Sequence, residues 1–264
     1  MTLGQWLDEK VGMYNHPSFI VSDPVSVPHQ FSFLQDIEIA GLLAAILAWG
    51  QRPTIIKKTN ELIGLMDGAP HQFVTQHQEK DRKRFLSFKH RTFQPDDIIY
   101  LLEVLQKYYQ AHLSLEDAFA NKITVDDNDV FNGLANFHDI LFDHPWVMER
   151  TRKHISTPVR KSACKRINMY LRWMVRQDEK GVDFGLWKKI SPSQLIIPLD
   201  IHVGNVARKL GLLERKTNDW QAATELTDRL KEFDVNDPVK YDFALFGVGI
   251  NELSHSSPSY VFFP

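Results

Sequence analysis

Between Ile37 and Trp49 the chain reads Ile-Glu-Ile-Ala-Gly-Leu-Leu-Ala-Ala-Ile-Leu-Ala-Trp, a run in which Glu38 is the only charge. A helix apolar on every side has no face to offer water, so it must run through a core with other elements packed around it. Asp36 stands where it can cap that helix, and Gly50 stands where it can end it. The run falls short of the roughly 18 apolar residues a membrane span needs. With 264 residues, 43% of them apolar, the chain can surround such a helix within one large domain or two small lobes.

The remaining apolar spacing is also helical. Leu3 to Tyr14 reads as a short amphipathic helix. Pro53 opens another that runs over Thr54 to Met66. Further helices are expected over Pro95 to Gln110, Leu115 to Ala120, Val130 to Phe142, Lys161 to Arg176, Pro198 to Leu210, Trp220 to Lys231 and Pro238 to Val248. His16 to His29 carries Pro17, Pro24 and Pro28, which predicts an extended wrap in place of helix. Gly181 to Ile190 reads as a loop or a short helical turn. Strand patterns are weak, and the expected class is all-α.

Cys164 is the only cysteine, which leaves no disulfide framework and no cysteine-ligated iron-sulfur cluster. No basic-then-apolar leader opens the sequence. Together these point to a reducing, cytoplasmic setting. The eleven histidines are scattered without the paired spacing of a metal site. Neither a glycine-rich phosphate loop nor a serine elbow is present, so no metal and no cofactor are expected.

Net charge is −2, but its distribution is uneven. From Arg150 to Arg176 there are nine Lys or Arg and no Asp or Glu, where about three of each would be average. Lys161, Lys165, Asn168, Arg172 and Arg176 step by three or four and would share one helix face. Like charges so spaced repel unless anions answer them. A phosphate backbone is one answer; carboxylates from other helices are the other. Farther on, Asp200 follows Ile196-Ile197-Pro198-Leu199 at a helix start. It can serve as an ordinary N-cap, or as a carboxylate at the edge of an apolar wall that stabilises positive charge on a sugar.

Three segments, taken in order, resemble the helix-hairpin-helix DNA glycosylase superfamily. Glu38 to Arg52 is similar to its first core helix and the glutamine-bearing turn that follows. Lys161-Ser162-Ala163 is similar to the lysine-threonine-alanine that opens the helix after the hairpin. Pro198-Leu199-Asp200-Ile201-His202-Val203, with Arg208-Lys209-Leu210-Gly211-Leu212, is similar to its valine-aspartate-threonine-histidine segment. The helix from Asp237-Pro238 to Gly249 is similar to the closing helix. The nearest likeness is to a bacterial family of unknown function. The archaeal 8-oxoguanine glycosylases are more distant, through Phe88-Lys89-His90-Arg91 and Ser114 to Phe119.

The resemblance implies a two-lobed helical bundle with a central cleft, made of a lobe over about residues 36–160, a lobe over about 161–264, and residues 1–35 packed across the second. It implies a base-excision glycosylase, with or without AP lyase activity, acting on a damaged base such as an oxidised purine flipped out of duplex DNA. Lys161 would be the amine nucleophile, with Lys165 one turn on as its rival, and Asp200 would stabilise charge on the sugar. Gln51 and Arg52 would lie near the pocket or the gap in the DNA, with Trp49 either beside them or in the core. Arg160, Arg166, Asn168, Arg172, Arg176 and His202 complete the nucleic-acid contacts. The hairpin stretch Ser156-Thr157-Pro158-Val159-Arg160 lacks glycine, so close phosphate approach by backbone N–H groups is either lost or replaced by side chains such as Arg160. Lys161 and Asp200 are 39 residues apart, and Gly181 to Gln194 must loop out for them to meet. Two further readings remain: a nucleic-acid-binding protein on the same fold without chemistry, and a protein-interaction module that presents the basic helix.

Overall fold

The structure, a computed structural model, describes residues 1–252; residues 253–264, the end of the expected second lobe, lie outside them. The described residues are all-helical and contain no strand, only isolated bridges at His90–Phe93 and Ser162–Asp219. In chain order the helices are α1 (Leu3–Tyr14), α2 (Ser18–Ser22), α3 (Leu34–Leu47), α4 (Arg52–Leu65), α5 (Pro70–Gln76), α6 (Glu79–Arg82), α7 (Pro95–Ala111), α8 (Glu116–Ala120), α9 (Phe131–Phe142), α10 (Lys165–Val175), α11 (Ile201–Lys209), α12 (Trp220–Lys231) and α13 (Tyr241–Asn251). No helix among them is long and apolar enough to cross a membrane.

Two local expectations change. The proline-rich segment is not extended: it forms α2 and the 3-10 turns Pro24–Ser26 and Pro28–Gln30. Pro24 and Pro28 each open a turn, where the missing N–H costs nothing. Asp36 does not cap α3 but lies within its first turn, and its Oδ1 accepts the His71 backbone N–H at 2.8 Å, tying α5 to α3.

The chain divides into two compact units, one formed by Met1–Phe19, Asp126–Phe131 and Thr157–Pro264, the other by Ile20–Val125 and Asn132–Ser156. In the second unit α3 is the axis, and every residue from Ile37 to Leu47 is buried. Glu38 is fully buried there and accepts from Tyr109 Oη at 2.9 Å, from the Leu115 N–H at 3.1 Å and from Ser114 Oγ. Three donors satisfy a carboxylate that would otherwise be prohibitively costly in this core.

In the first unit α13 packs against α1 and α11. Gly247 makes the first of these contacts possible, because a Cβ there would come within 2.3 Å of the Tyr14 ring. Tyr14 Oη and Lys10 Nζ both reach Glu252 Oε1 at 2.7 Å. Beside α10 runs the loop over 181–190. Its Phe184 and Trp187 N–H groups donate to the Trp173 and Met174 carbonyls at 2.7 and 2.8 Å. Two of the last carbonyls of α10 are thereby satisfied, and Trp187 is buried edge-on to Tyr170.

Candidate functional site

The helix expected from Lys161 begins one turn later, at Lys165. Thr157 caps a 3-10 turn over Pro158–Arg160, and Lys161 then adopts a left-handed backbone with φ 61°. Ser162 bridges to Asp219, the Lys161 carbonyl accepts the Trp220 N–H at 3.0 Å, and Cys164 is left-handed again at φ 49°. Two non-glycine residues in that region, each disfavoured by roughly 1–2 kcal/mol, keep the helix from starting earlier. Lys161 is therefore exposed on a loop, and no ion pair ties down its amine among the described residues. Lys165 is half-buried at the first position of α10, with Nζ 3.7 Å from Met169 Sδ.

Down the same helix the cationic face turns inward. Asn168, Arg172 and Arg176 are buried. Arg172 Nε lies 3.2 Å from Asp183 Oδ1, its Nη1 bonds Asp242, and its guanidinium stacks over Phe243 at 4.3 Å. Arg176 Nη1 reaches Asp178 at 2.7 Å and Asp183 at 3.1 Å, while Nε reaches Asp237 at 2.9 Å. Burial works against the Arg176 charge, but these three carboxylates outweigh it and hold the cation firmly protonated. Asn168 Nδ2 donates to the Ala163 carbonyl at 3.0 Å. The assignment of Asn168, Arg172 and Arg176 to phosphate contact is thus corrected: carboxylates from outside the acid-free window answer the two arginines, and all three side chains are withdrawn from solvent. The same burial withdraws these three side chains from any docking face on α10. Arg166 is half-buried and its basicity is lowered by burial, whereas Arg160 is exposed.

Asp200 is the N-cap of α11, as the cap pattern allows, with Oδ1 accepting the Val203 N–H at 2.9 Å. Its backbone carbonyl accepts from Asn218 Nδ2 at 2.9 Å, so the cap is held from both sides. Ile201 beside it is 70% exposed, and His202 is exposed with its ring edge-on to Phe246. Asp242 is the residue that sequence reasoning missed. The signal was available, a lone acid inside the apolar helix Tyr-Asp-Phe-Ala-Leu-Phe. Burial pushes its carboxyl up to about 6, with Arg172 opposing, Asp200 adding to the rise and Lys165 opposing. Asp242 therefore feels Asp200 and Lys165 together, and all three belong to the same unit. An amine at a helix start and a carboxylate with one oxygen outside its cap bond are the kinds of group that nucleophilic attack and charge stabilisation use, whereas Asp242 is buried and bonded to Arg172.

In the other unit, Gln51 is exposed at the start of α4, and Arg52 Nε lies 4.0 Å from Asp23. Trp49 is not core: it is 42% exposed, whereas Trp173 and Trp187 are buried. Among the described residues no group of three or more His, Cys, Asp or Glu is placed to hold a metal.

No curated protein and no solved structure matches the chain. Residues 23–251 match a family described as "Protein of unknown function (DUF2400)", and the chain belongs to that family.

Proposed function

We propose that this protein is a DNA base-excision glycosylase with AP lyase activity, built as a two-lobed helix-hairpin-helix glycosylase, with Lys165 as the nucleophile and Asp200 as the charge-stabilising carboxylate. One observation carries the reading: α13, whose Asp242 binds Arg172 of the helix that Lys165 opens, packs on α11, the helix that Asp200 caps. Lys161, by contrast, sits on an exposed loop before the helix. In the reaction, neutral Lys165 Nζ bonds to C1′ of the nucleotide as the C1′–N bond breaks. The base leaves with that electron pair and takes up a proton. Asp200 balances the positive charge that develops on the sugar. Sugar-ring opening then gives a protonated imine, and removal of a C2′ proton expels the 3′-phosphate. Arg160, Arg166, Gln51, Arg52 and His202 remain the side chains assigned to nucleic-acid contact.

Borohydride trapping on duplexes bearing an oxidised purine or an abasic site tests this. We expect a covalent adduct with wild-type protein and Lys161→Ala, and none with Lys165→Ala. An adduct lost in Lys161→Ala but kept in Lys165→Ala would move the nucleophile back to Lys161. Base release without any adduct would reduce the enzyme to a monofunctional glycosylase that relies on Asp200. The second reading, binding without chemistry, draws support from Asp200 Oδ1 being engaged as an ordinary helix cap. Neither adduct nor base release on oxidised, alkylated and deaminated substrates, with salt-sensitive DNA binding retained, would establish that reading in place of the first.

A further inference from the structure

One exposed aromatic ring of the second unit, Trp49, carries an arginine stacked on it. Trp49 is held by its backbone, its N–H donating to the Leu47 carbonyl at 2.6 Å and its carbonyl lying 3.3 Å from His90 Nε2. His90 and Phe93 close a tight turn through paired bonds of 3.0 and 2.9 Å, with Arg91 at its tip. Arg91 has φ 54°, a conformation that glycine, asparagine or aspartate takes more easily. That backbone lays the guanidinium 4.5 Å from the Trp49 ring centroid. Gly50, at φ 120°, leaves the space, since a Cβ there would meet Arg91 Nη1 at 2.7 Å. Arg91 and Lys89, two residues before it, are exposed, and neither has a carboxylate partner among the described residues.

We infer that the Trp49–Arg91 stack is a binding platform for an unpaired nucleic-acid strand, with a base stacking on the planar pair and the backbone phosphates meeting Arg91 and Lys89. A flat π-surface backed by a guanidinium suits any base, and uncompensated cations suit phosphates. An acidic protein segment would use the cations but not the ring. This inference shares the partner class of the excision reading and none of its chemistry, so it is tested on undamaged strand.

The test titrates full-length protein into fluorescein-labelled oligo-dT of about 15 nucleotides, following anisotropy and tryptophan quenching. Trp49→Ala should weaken binding about tenfold, in the range of one lost stacking contact. Arg91→Asn, which suits the left-handed backbone, should weaken it comparably while leaving the melting temperature unchanged. Trp49→Phe should keep most of the affinity but lose the quenching. Unchanged affinity in both Trp49→Phe and Arg91→Asn with quenching intact, or equal affinity for polyglutamate of matched charge, would overturn the inference. Strand binding that depends on Trp49 and Arg91 without any excision leaves this inference standing and sinks the enzyme. Excision by a protein whose strand binding ignores Trp49 and Arg91 does the reverse.

Discussion

Arg172 and Asp183 are bound to each other inside the protein, Nε to Oδ1 at 3.2 Å, with both side chains all but sealed from water. Asp183 spends its other oxygen on Arg176, 3.1 Å away and one helical turn further on. A single carboxylate on the loop after α10 thus bridges an i, i+4 pair of arginines that would otherwise repel, with Asp242, Asp178 and Asp237 supplying the remaining charge. Removing one partner of a buried pair leaves an uncompensated charge, which destabilises by about 3–5 kcal/mol. Asp183→Ala should therefore lose stability of that order in urea unfolding and release the loop over 181–190 to protease. A loss below about 1 kcal/mol would mean the neighbouring carboxylates suffice.

Asp242 should make stability depend on pH in the direction opposite to an ordinary surface acid. Burial raises its folded carboxyl to about 6, above the usual value near 4 in an unfolded chain. The folded state therefore holds the proton more tightly. This contribution is fully present below about pH 4 and is lost as pH rises through about 6. Asp242→Asn cannot ionise, so the difference in stability between wild type and variant should change steadily across pH 4–6. Urea midpoints at four pH values would show it; parallel curves would place the titration elsewhere.

The parts of the fold visible in the sequence were those where one local rule decides. The apolar run of α3 could only be interior, and α1 and α12 have the bounds that their apolar spacing predicts. Proline was read as a breaker in residues 16–29, where it instead opens short turns. The start of α10 was misplaced because left-handed residues at Lys161 and Cys164 leave no compositional mark. The charge face of α10 loses Lys161, which lies before the helix, and of the two anions the spacing left open, phosphate or carboxylate, the structure gives carboxylates to both arginines. Its partners Asp178, Asp183, Asp237 and Asp242 follow it in sequence, and only tertiary packing brings them back. For Trp49 the sequence left pocket and core both open, because an arginine 42 positions away that stacks on it cannot be seen from spacing.

Glu38 yields a prediction of the same kind in the other unit. Its carboxylate serves Tyr109, Ser114 and the Leu115 N–H, and it joins α3 to the end of α7 and the start of α8. Glu38→Ala would remove the acceptor that three buried or half-buried donors share and open a void, with a loss of about 3–5 kcal/mol. Glu38→Gln keeps one acceptor oxygen and should lose less. Thermal unfolding of the two variants would separate them, and an alanine variant as stable as the glutamine one would show that water replaces the carboxylate.

Asp200 can be asked whether it is a cap or a catalyst, because the two roles need different chemistry. Capping needs an oxygen that accepts the Val203 N–H, and serine supplies one nearly as well as aspartate. Stabilising a sugar cation needs a negative charge, which serine lacks. Asp200→Ser should therefore keep the melting temperature within about 1–2 °C of wild type, while base release falls by about 100-fold or more, in line with the loss of a group that acts on developing charge. Asp200→Ala should lose roughly 1 kcal/mol of stability as well. If the serine variant were as active as wild type, the carboxylate would be a cap and nothing else, and α11 would have no part in the chemistry.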